Sequence, residues 1–160
     1  MVTPPAAVWL RNTQIGDGDG GEVLRAAHAG GGLRKLKTLV LGDNQMGDGA
    51  AAALAALLEE GAMPNLTALD LGGNQIGDDG VAALASALRG GALPACTEIY
   101  LNDNQIGDDG LAALASALRG GALPACTDIW LHDNPGSDAP VDEALASPER
   151  AAALARRQAE

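Results

Sequence analysis

Cysteines, aromatic residues and basic side chains are all scarce in this 160-residue chain, and the shortages exclude several classes of protein. Two cysteines are too few for a scaffold held together by disulfides. Only 10 Lys and Arg stand against 21 Asp and Glu, which gives a formal net charge of −11 at pH 7. Nucleic acids and anionic membranes both repel such a chain, so we expect neither as the main partner.

Long apolar runs and targeting segments are also missing. No stretch approaches the roughly 20 apolar residues that span a membrane. The opening residues, MVTPPAAVWLRN, carry neither the basic leader nor the apolar core of a signal peptide. We therefore expect an intracellular, cytoplasmic protein. A hydrophobic fraction of 47% in a regular pattern still predicts a folded chain and not an acidic disordered one.

The sequence contains none of the common catalytic or zinc-binding motifs. There is no G-x-S-x-G, no G-x-x-x-x-G-K and no H-E-x-x-H, and the only histidines are His28 and His132. A structural zinc site needs four ligands, and neither C-x-x-C nor a neighbouring pair of histidines is present. We expect no enzyme activity, no cofactor and no resident metal.

Internal repetition is what the sequence has in abundance. Residues 74–97 and 104–127 agree at 23 of 24 positions and differ only at Val81 and Leu111. An asparagine recurs every 30 residues, at Asn44, Asn74, Asn104 and Asn134. A period of about 20–50 residues is typical of solenoids, in which each unit packs only on its neighbours.

Each unit combines a strand segment with a helical segment. The strand segments are LKTLVL, LTALDL, CTEIYL and CTDIWL, with apolar residues at places one, four and six, so that Leu36 is at place one. This spacing predicts a strand with one buried face. In the helical segment DDGVAALASALRGG, Val81, Leu84 and Leu88 form one apolar stripe. We expect this helix to begin at Asp78–Asp79 and to stop at Gly90–Gly91.

The recurring acids, asparagines and cysteines all have structural interpretations. Adjacent aspartates in the GDDG turns cannot supply the roughly six to eight oxygens that calcium takes, so we interpret them as helix N-termini. The asparagines should satisfy backbone groups in the turn after each strand. Cys96 and Cys126 replace leucine at place one, which predicts burial as small hydrophobic residues. Neighbouring strands lie about 4.8 Å apart, so a disulfide between these cysteines is conceivable, but not expected inside a cell.

The strand segments and their asparagines, LKTLVLGDN, LTALDLGGN, CTEIYLNDN and CTDIWLHDN, follow the pattern L-x-x-L-x-L-x-x-N. Over about residues 5–134 the chain resembles the leucine-rich repeat family, specifically its ribonuclease-inhibitor-like subtype. The resemblance implies a right-handed α/β solenoid, a horseshoe arc of about five repeats with parallel strands on the concave side and helices on the convex side. The first unit departs from the pattern, with Pro5, Val8, Leu10 and Thr13 at the four frame positions.

We assign residues 1–134 to the solenoid, and residues 135–160 to a divergent last repeat and a C-terminal helical cap. Ser147-Pro148-Glu149 predicts a helix over about residues 148–158 that covers the last repeat. The resemblance implies a non-catalytic module that binds a protein partner on its concave face. The alternatives are a regulatory domain of an enzyme, such as a GTPase-activating or inhibitory repeat protein, and a fragment of a larger repeat protein.

The three aromatic residues of the chain point to a site. Trp9, Tyr100 and Trp130 all stand at place five, the outward place between two buried ones. Exposed aromatic residues are favoured at interfaces, although Tyr100 and Trp130 could also simply pack on each other. We predict a partner-binding site at Glu98, Tyr100, Asn102, Asp103, Asp128, Trp130, His132 and Asp133. Its acids should favour a protein partner with a basic surface.

Overall fold

The computed structural model describes residues 6–159, in which strands and helices alternate along the chain. Pro5, the first frame position of the divergent unit, lies outside the described residues. The elements are β1 (Ala7–Trp9), α1 (Asp17–Ala29), β2 (Thr38–Val40), α2 (Asp48–Glu59), β3 (Ala68–Asp70), α3 (Asp78–Arg89), β4 (Glu98–Tyr100), α4 (Asp108–Arg119), β5 (Asp128–Trp130), α5 (Ala139–Leu145) and α6 (Pro148–Ala159). No helix within residues 6–159 has the length and apolar character needed to cross a bilayer.

The five strands form one parallel sheet in the order β1-β2-β3-β4-β5. The register pairs equivalent places of adjacent units, for example Leu39 with Leu69 and Tyr100 with Trp130. Each of the first four strands is connected to the next strand through a helix. The architecture is therefore the α/β solenoid that the repeat pattern predicts.

The core lies between the sheet and the helices, where the apolar places of both segments meet. Leu66, Leu69 and Leu71, at places one, four and six of one unit, are each at most 2% exposed. Val81 and Leu88 of the predicted helical stripe are also buried against this layer. Each fully buried side chain of this size contributes about 1.5–3 kcal/mol, so stacked repeats supply the stability that a lone repeat lacks.

Cys96 and Cys126 lie in this core as predicted, and both are free thiols. Burial, together with a smaller contribution from the neighbouring Cys126, raises the pKa of Cys96 to about 12. Burial likewise raises the pKa of Cys126 to about 11. Because the thiolate is the reactive form, both side chains are inert at neutral pH.

The helices end where the sequence predicts. In α3 and α4 the second glycine of each pair, Gly91 and Gly121, takes the left-handed conformation, with φ of 95° and 88°. A residue with a Cβ is strained there, which explains the choice of glycine. Helix α6, Pro148–Ala159, agrees with the helix expected over about residues 148–158. Both α5 and α6 pack against α4.

The asparagine column joins neighbouring repeats, which confirms its structural interpretation. The side-chain oxygen of Asn74 accepts a hydrogen bond from the N–H of Met46 at 3.0 Å. Its amide group donates to the carbonyl oxygens of Leu41 and Leu71, at 3.1 and 3.0 Å. Equivalent bonds form at Asn44, Asn104 and Asn134. Each amide thus satisfies backbone groups of two repeats at once.

The aspartates of the GDDG turns stand at the starts of their own helices as predicted, but the first one of each turn directs its side-chain hydrogen bonds to the following repeat. Helix α3 receives no side-chain hydrogen bond from its own N-cap residue, Gly77. Instead, Asp48 of the preceding unit accepts from the N–H groups of Gly77 and Gly80, at 2.7 and 2.9 Å. Asp17, Asp78 and Asp108 reach the following unit in the same way. Side-by-side stacking places each helix start next to the carboxylate of the preceding unit.

Candidate partner-binding face

The concave face of the sheet presents one side chain from place five of every strand. We call these five residues the central row: Trp9, Val40, Asp70, Tyr100 and Trp130. Trp9 is 69% exposed, whereas Val40 is only 5% exposed between its neighbours Trp9 and Asp70. The central row thus has one aromatic residue at its N-terminal end and two at its C-terminal end.

Tyr100 and Trp130 form a stacked pair. Their ring centroids are 4.4 Å apart and the ring planes differ by 4°. The parallel register produces this stack, because it sets place five of β4 beside place five of β5. Both side chains remain half-buried, so cross-strand packing covers the rings only in part. Such pairs contribute about 0.5–1.5 kcal/mol beyond the apolar area they bury.

A shallow cleft of about 570 Å³ runs along the central row and is lined by residues of all five strands. Ala68 and Gly72 contribute little bulk to its middle, whereas Trp9 and the stacked pair stand toward its two ends. Four strand spacings of about 4.8 Å give the cleft a length of about 19 Å. A long, open cleft of this kind suits a polypeptide segment better than an enclosed small molecule.

Charges on the N-terminal part of this face are paired. Arg11 Nε lies 2.6 Å from Asp43 Oδ2, and Arg11 Nη1 lies 3.6 Å from Asp70 Oδ2. The hydrogen bond and charge of Asp43 raise the pKa of Arg11. Asp70 Oδ1 also accepts a hydrogen bond from the N–H of Gly72 at 2.9 Å. Exposed pairs of this kind add at most about 1 kcal/mol, but the single positive charge of Arg11 offsets part of the negative charge of the two aspartates.

The C-terminal part carries unpaired negative charge around the stacked aromatic pair. Within residues 6–159, neither Glu98 nor Asp128 forms an ion pair with a lysine or an arginine. Tyr100 donates its hydroxyl hydrogen bond to Glu98 Oε2 at 3.2 Å. Partial burial, together with the charges of Glu98, Asp70 and Asp128, raises the pKa of Tyr100. The phenol therefore stays neutral at pH 7 and sits among three carboxylates.

Comparison with known proteins finds a family of similar repeats. The sequence model of the family described as "Leucine Rich repeat" matches residues 32–55, 62–85 and 97–115. Over these three segments the chain is similar to leucine-rich repeats. The three matched segments fall on the strand-to-helix units described above, which accounts for the parallel sheet and the asparagine column.

No curated protein matches this chain. Among solved structures, it is similar to an internalin from Listeria monocytogenes, with 21% sequence identity and a TM-score of 0.41. The match covers 74% of this chain and 35% of the internalin chain, so the chain spans about a third of that protein.

The parallel sheet brings most of the predicted site residues to one end of the face. Glu98, Tyr100, Asn102, Trp130 and His132 line the cleft. The other three predicted residues, Asp103, Asp128 and Asp133, are exposed near it but do not line it. Trp9 stands apart from the aromatic pair because β2 and β3 lie between them.

Sequence reasoning missed the contribution of the earlier repeats to the cleft. Arg11 and Asp70 line it and form an ion pair with each other, with Arg11 Nη1 3.6 Å from Asp70 Oδ2. Both stand at outward places of the same repeated pattern, at places seven and five. The signal was therefore present in the sequence, but the pairing joins residues of different repeats.

Proposed function

We propose that this chain is a non-catalytic module that binds a protein partner on its concave face, at the part formed by β4 and β5. The observation that carries the proposal is the stacked Tyr100–Trp130 pair, half-buried and set among carboxylates. Aromatic side chains with a polar handle are favoured as anchors at protein interfaces. The chain has only three aromatic residues, and two of them meet at this point.

The partner carries a basic surface in this proposal. Glu98 and Asp128 lack ion-pair partners within the described residues, and the whole chain carries a net charge of −11. Complementary charges steer encounter and discriminate against acidic partners, including nucleic acids and anionic membranes. Association should therefore slow as the ionic strength rises.

The finer family and cellular assignments belong to the same proposal. Helices α2, α3 and α4 each have 12 residues, which supports the ribonuclease-inhibitor-like subtype with its helical convex side. Both cysteines are buried free thiols, which supports an intracellular, cytoplasmic setting where thiols stay reduced.

The experiment is affinity capture from the source cell, followed by titration of the purified partner with matched variants. Trp130→Ala and Tyr100→Ala should each weaken binding by about 2 kcal/mol, or roughly 30-fold, if the pair is the anchor. Arg89→Ala, which changes an exposed residue at the end of α3, should leave the affinity unchanged. If both aromatic variants fold and bind as the parent does, the partner site lies elsewhere.

A further inference from the structure

Three residues with metal-binding side chains converge at the edge of the sheet, just beyond the ends of β4 and β5. Asp103, His132 and Asp133 each offer one ligand atom, and these atoms all lie within 4.8 Å of one another. All three side chains are exposed. Asp103 and Asp133 occupy the same place in adjacent repeats, and His132 comes directly before Asp133. The cluster therefore exists only because the two repeats stack.

The backbone holds this cluster in a defined arrangement. The N–H of Asp103 donates to the carbonyl oxygen of His132 at 3.0 Å, which ties the two turns together. The side-chain amide of Asn102 donates to Asp103 Oδ2 at 2.6 Å and so orients that carboxylate. Hydrogen bonds of this type fix the orientation of metal ligands and tune their basicity.

The charge environment distinguishes this cluster from the equivalent place in an earlier repeat. There, Asp43 is neutralised by Arg11, whose Nε lies 2.6 Å away. Neither Asp103 nor Asp133 forms an ion pair with a lysine or arginine in the part of the chain that the structure describes. Two neighbouring carboxylates repel each other, and a divalent cation between them would remove that repulsion.

We propose that Asp103, His132 and Asp133 bind a divalent transition-metal ion of the Zn²⁺ type. Zinc takes imidazole nitrogen and carboxylate oxygen at about 2.0–2.2 Å, so its ligand atoms stand roughly 3–4.4 Å apart. The three ligand atoms, all within 4.8 Å of one another, lie close to this range. The imidazole selects a transition metal over Ca²⁺ and Mg²⁺, which prefer all-oxygen ligands. Three protein ligands leave at least one coordination position open.

The probe is Zn²⁺ itself, added to the tag-free, metal-stripped full chain and followed by isothermal titration calorimetry. We expect one saturable site per chain with micromolar affinity. His132→Gln and Asp133→Asn should each weaken it by about tenfold or more. The chain has only one other histidine, so His28→Gln is the matched control and should change the affinity less than twofold. Asp109→Asn removes an exposed charge from the start of α4 and should also leave binding unchanged.

Three results would overturn the proposal. The first is the absence of saturable binding up to about 1 mM Zn²⁺. The second is an equal loss of affinity in the His28 and His132 variants, which would show unspecific uptake. The third is displacement of Zn²⁺ by a tenfold excess of Ca²⁺, which would show only a general attraction of the acidic surface for cations. Because no partner is needed, the outcome is independent of the protein-binding proposal.

Discussion

Asp78 Oδ1 accepts a hydrogen bond from the backbone N–H of Gly110, in the first turn of the next repeat's helix, at 2.8 Å. The same oxygen accepts a second bond from the N–H of Gly107 at 2.7 Å. The carboxylate of one repeat thereby satisfies the N-terminal donors of the next helix and complements its dipole. A helix start is completed only when the preceding repeat is folded, so these bonds couple neighbouring repeats during folding.

Removing this carboxylate should destabilise the solenoid. Asp78→Ala leaves two N–H groups of α4 without their acceptor, and we expect a loss of about 1–2 kcal/mol in the free energy of unfolding. Asp79→Ala is the control, because Asp79 is the exposed second acid of the same turn. It should cost less than about 0.5 kcal/mol. Urea unfolding measures the free energy of unfolding of both variants. Equal losses in the two variants would contradict a specific contribution of the inter-repeat hydrogen bonds.

Gly110 should tolerate no side chain. A Cβ atom there would lie 2.6 Å from Asp78 Oδ1 and 3.0 Å from Ile106 Cγ2, so the cap would have to move. We expect Gly110→Ala to lower the free energy of unfolding by about 1–3 kcal/mol. Gly18→Ala is the comparison, since a Cβ there meets no atom within 4 Å. That change lies in helix α1 and should be neutral or slightly stabilising. A similar loss in both variants would contradict the argument.

The sequence predicted the fold well because the repeat determines it locally. The apolar pattern of the strand segments predicted burial at places one, four and six. The glycine pairs predicted the ends of the helices, and Ser147-Pro148-Glu149 predicted the start of α6. The choice of helix capped by Asp78 escaped prediction, because it depends on the lateral offset between neighbouring helices. Helix-capping preferences read from the sequence concern only the helix to which a residue belongs. Helix α5, Ala139–Leu145, was not predicted either, because it lies in the last unit, where the sequence departs from the repeat pattern.

The candidate site was predictable only in part, for a similar reason. Side chains two residues apart in a strand point to the same face, so place five of each strand was expected on the outward face. Tyr100 and Trp130 are separated by one repeat of 30 residues, so they were expected side by side on adjacent strands. The positions of Arg11 and Asp70 on the same face follow from the repeat pattern, but the ion pairs of Arg11 do not. They join Arg11 to Asp43 and Asp70, which lie 32 and 59 residues further along the chain. The convergence of Asp103, His132 and Asp133 also depends on how two turns stack.

The C-terminal helix should act as a cap, with Arg150 as its anchor. Arg150 is 5% exposed and donates to the carbonyl oxygens of Ala122 and Leu123, at 2.5 and 2.6 Å. Burial lowers the pKa of Arg150, which shows that the surroundings offer little solvation. Arg150→Ala leaves these carbonyl groups without a donor, and we expect the free energy of unfolding, measured by urea unfolding, to fall by about 2 kcal/mol or more. Arg156→Ala, at an exposed position of the same helix, should cost less than about 0.5 kcal/mol.

Deleting residues 147–160 tests the cap as a whole. The last repeat would lose the cover that α6 places on α4, and solenoid ends without a polar cover associate with one another. We expect the truncated chain to form oligomers that grow with concentration in analytical ultracentrifugation. A truncated chain that matches the stability and the association state of the full chain would remove the capping role.

The buried thiols should make stability fall at alkaline pH. The pKa of Cys96 rises from 9.0 to about 12 on folding, so the unfolded chain releases the proton first. A folded pKa above the unfolded one means that stability is complete below about pH 9 and declines as pH rises toward 12. At pH 10 the free energy of unfolding should be lower by on the order of 1 kcal/mol because of this residue, at about 1.4 kcal/mol per pH unit.

Urea unfolding at pH 8 and pH 10, with the parent chain and Cys96→Ala, isolates this contribution. Cys126 and Tyr100, whose pKa values are also raised, are present in both chains, so the difference between the chains reports mainly on Cys96. Equal pH dependence in the two chains would show that Cys96 ionises in the folded state as readily as in the unfolded one.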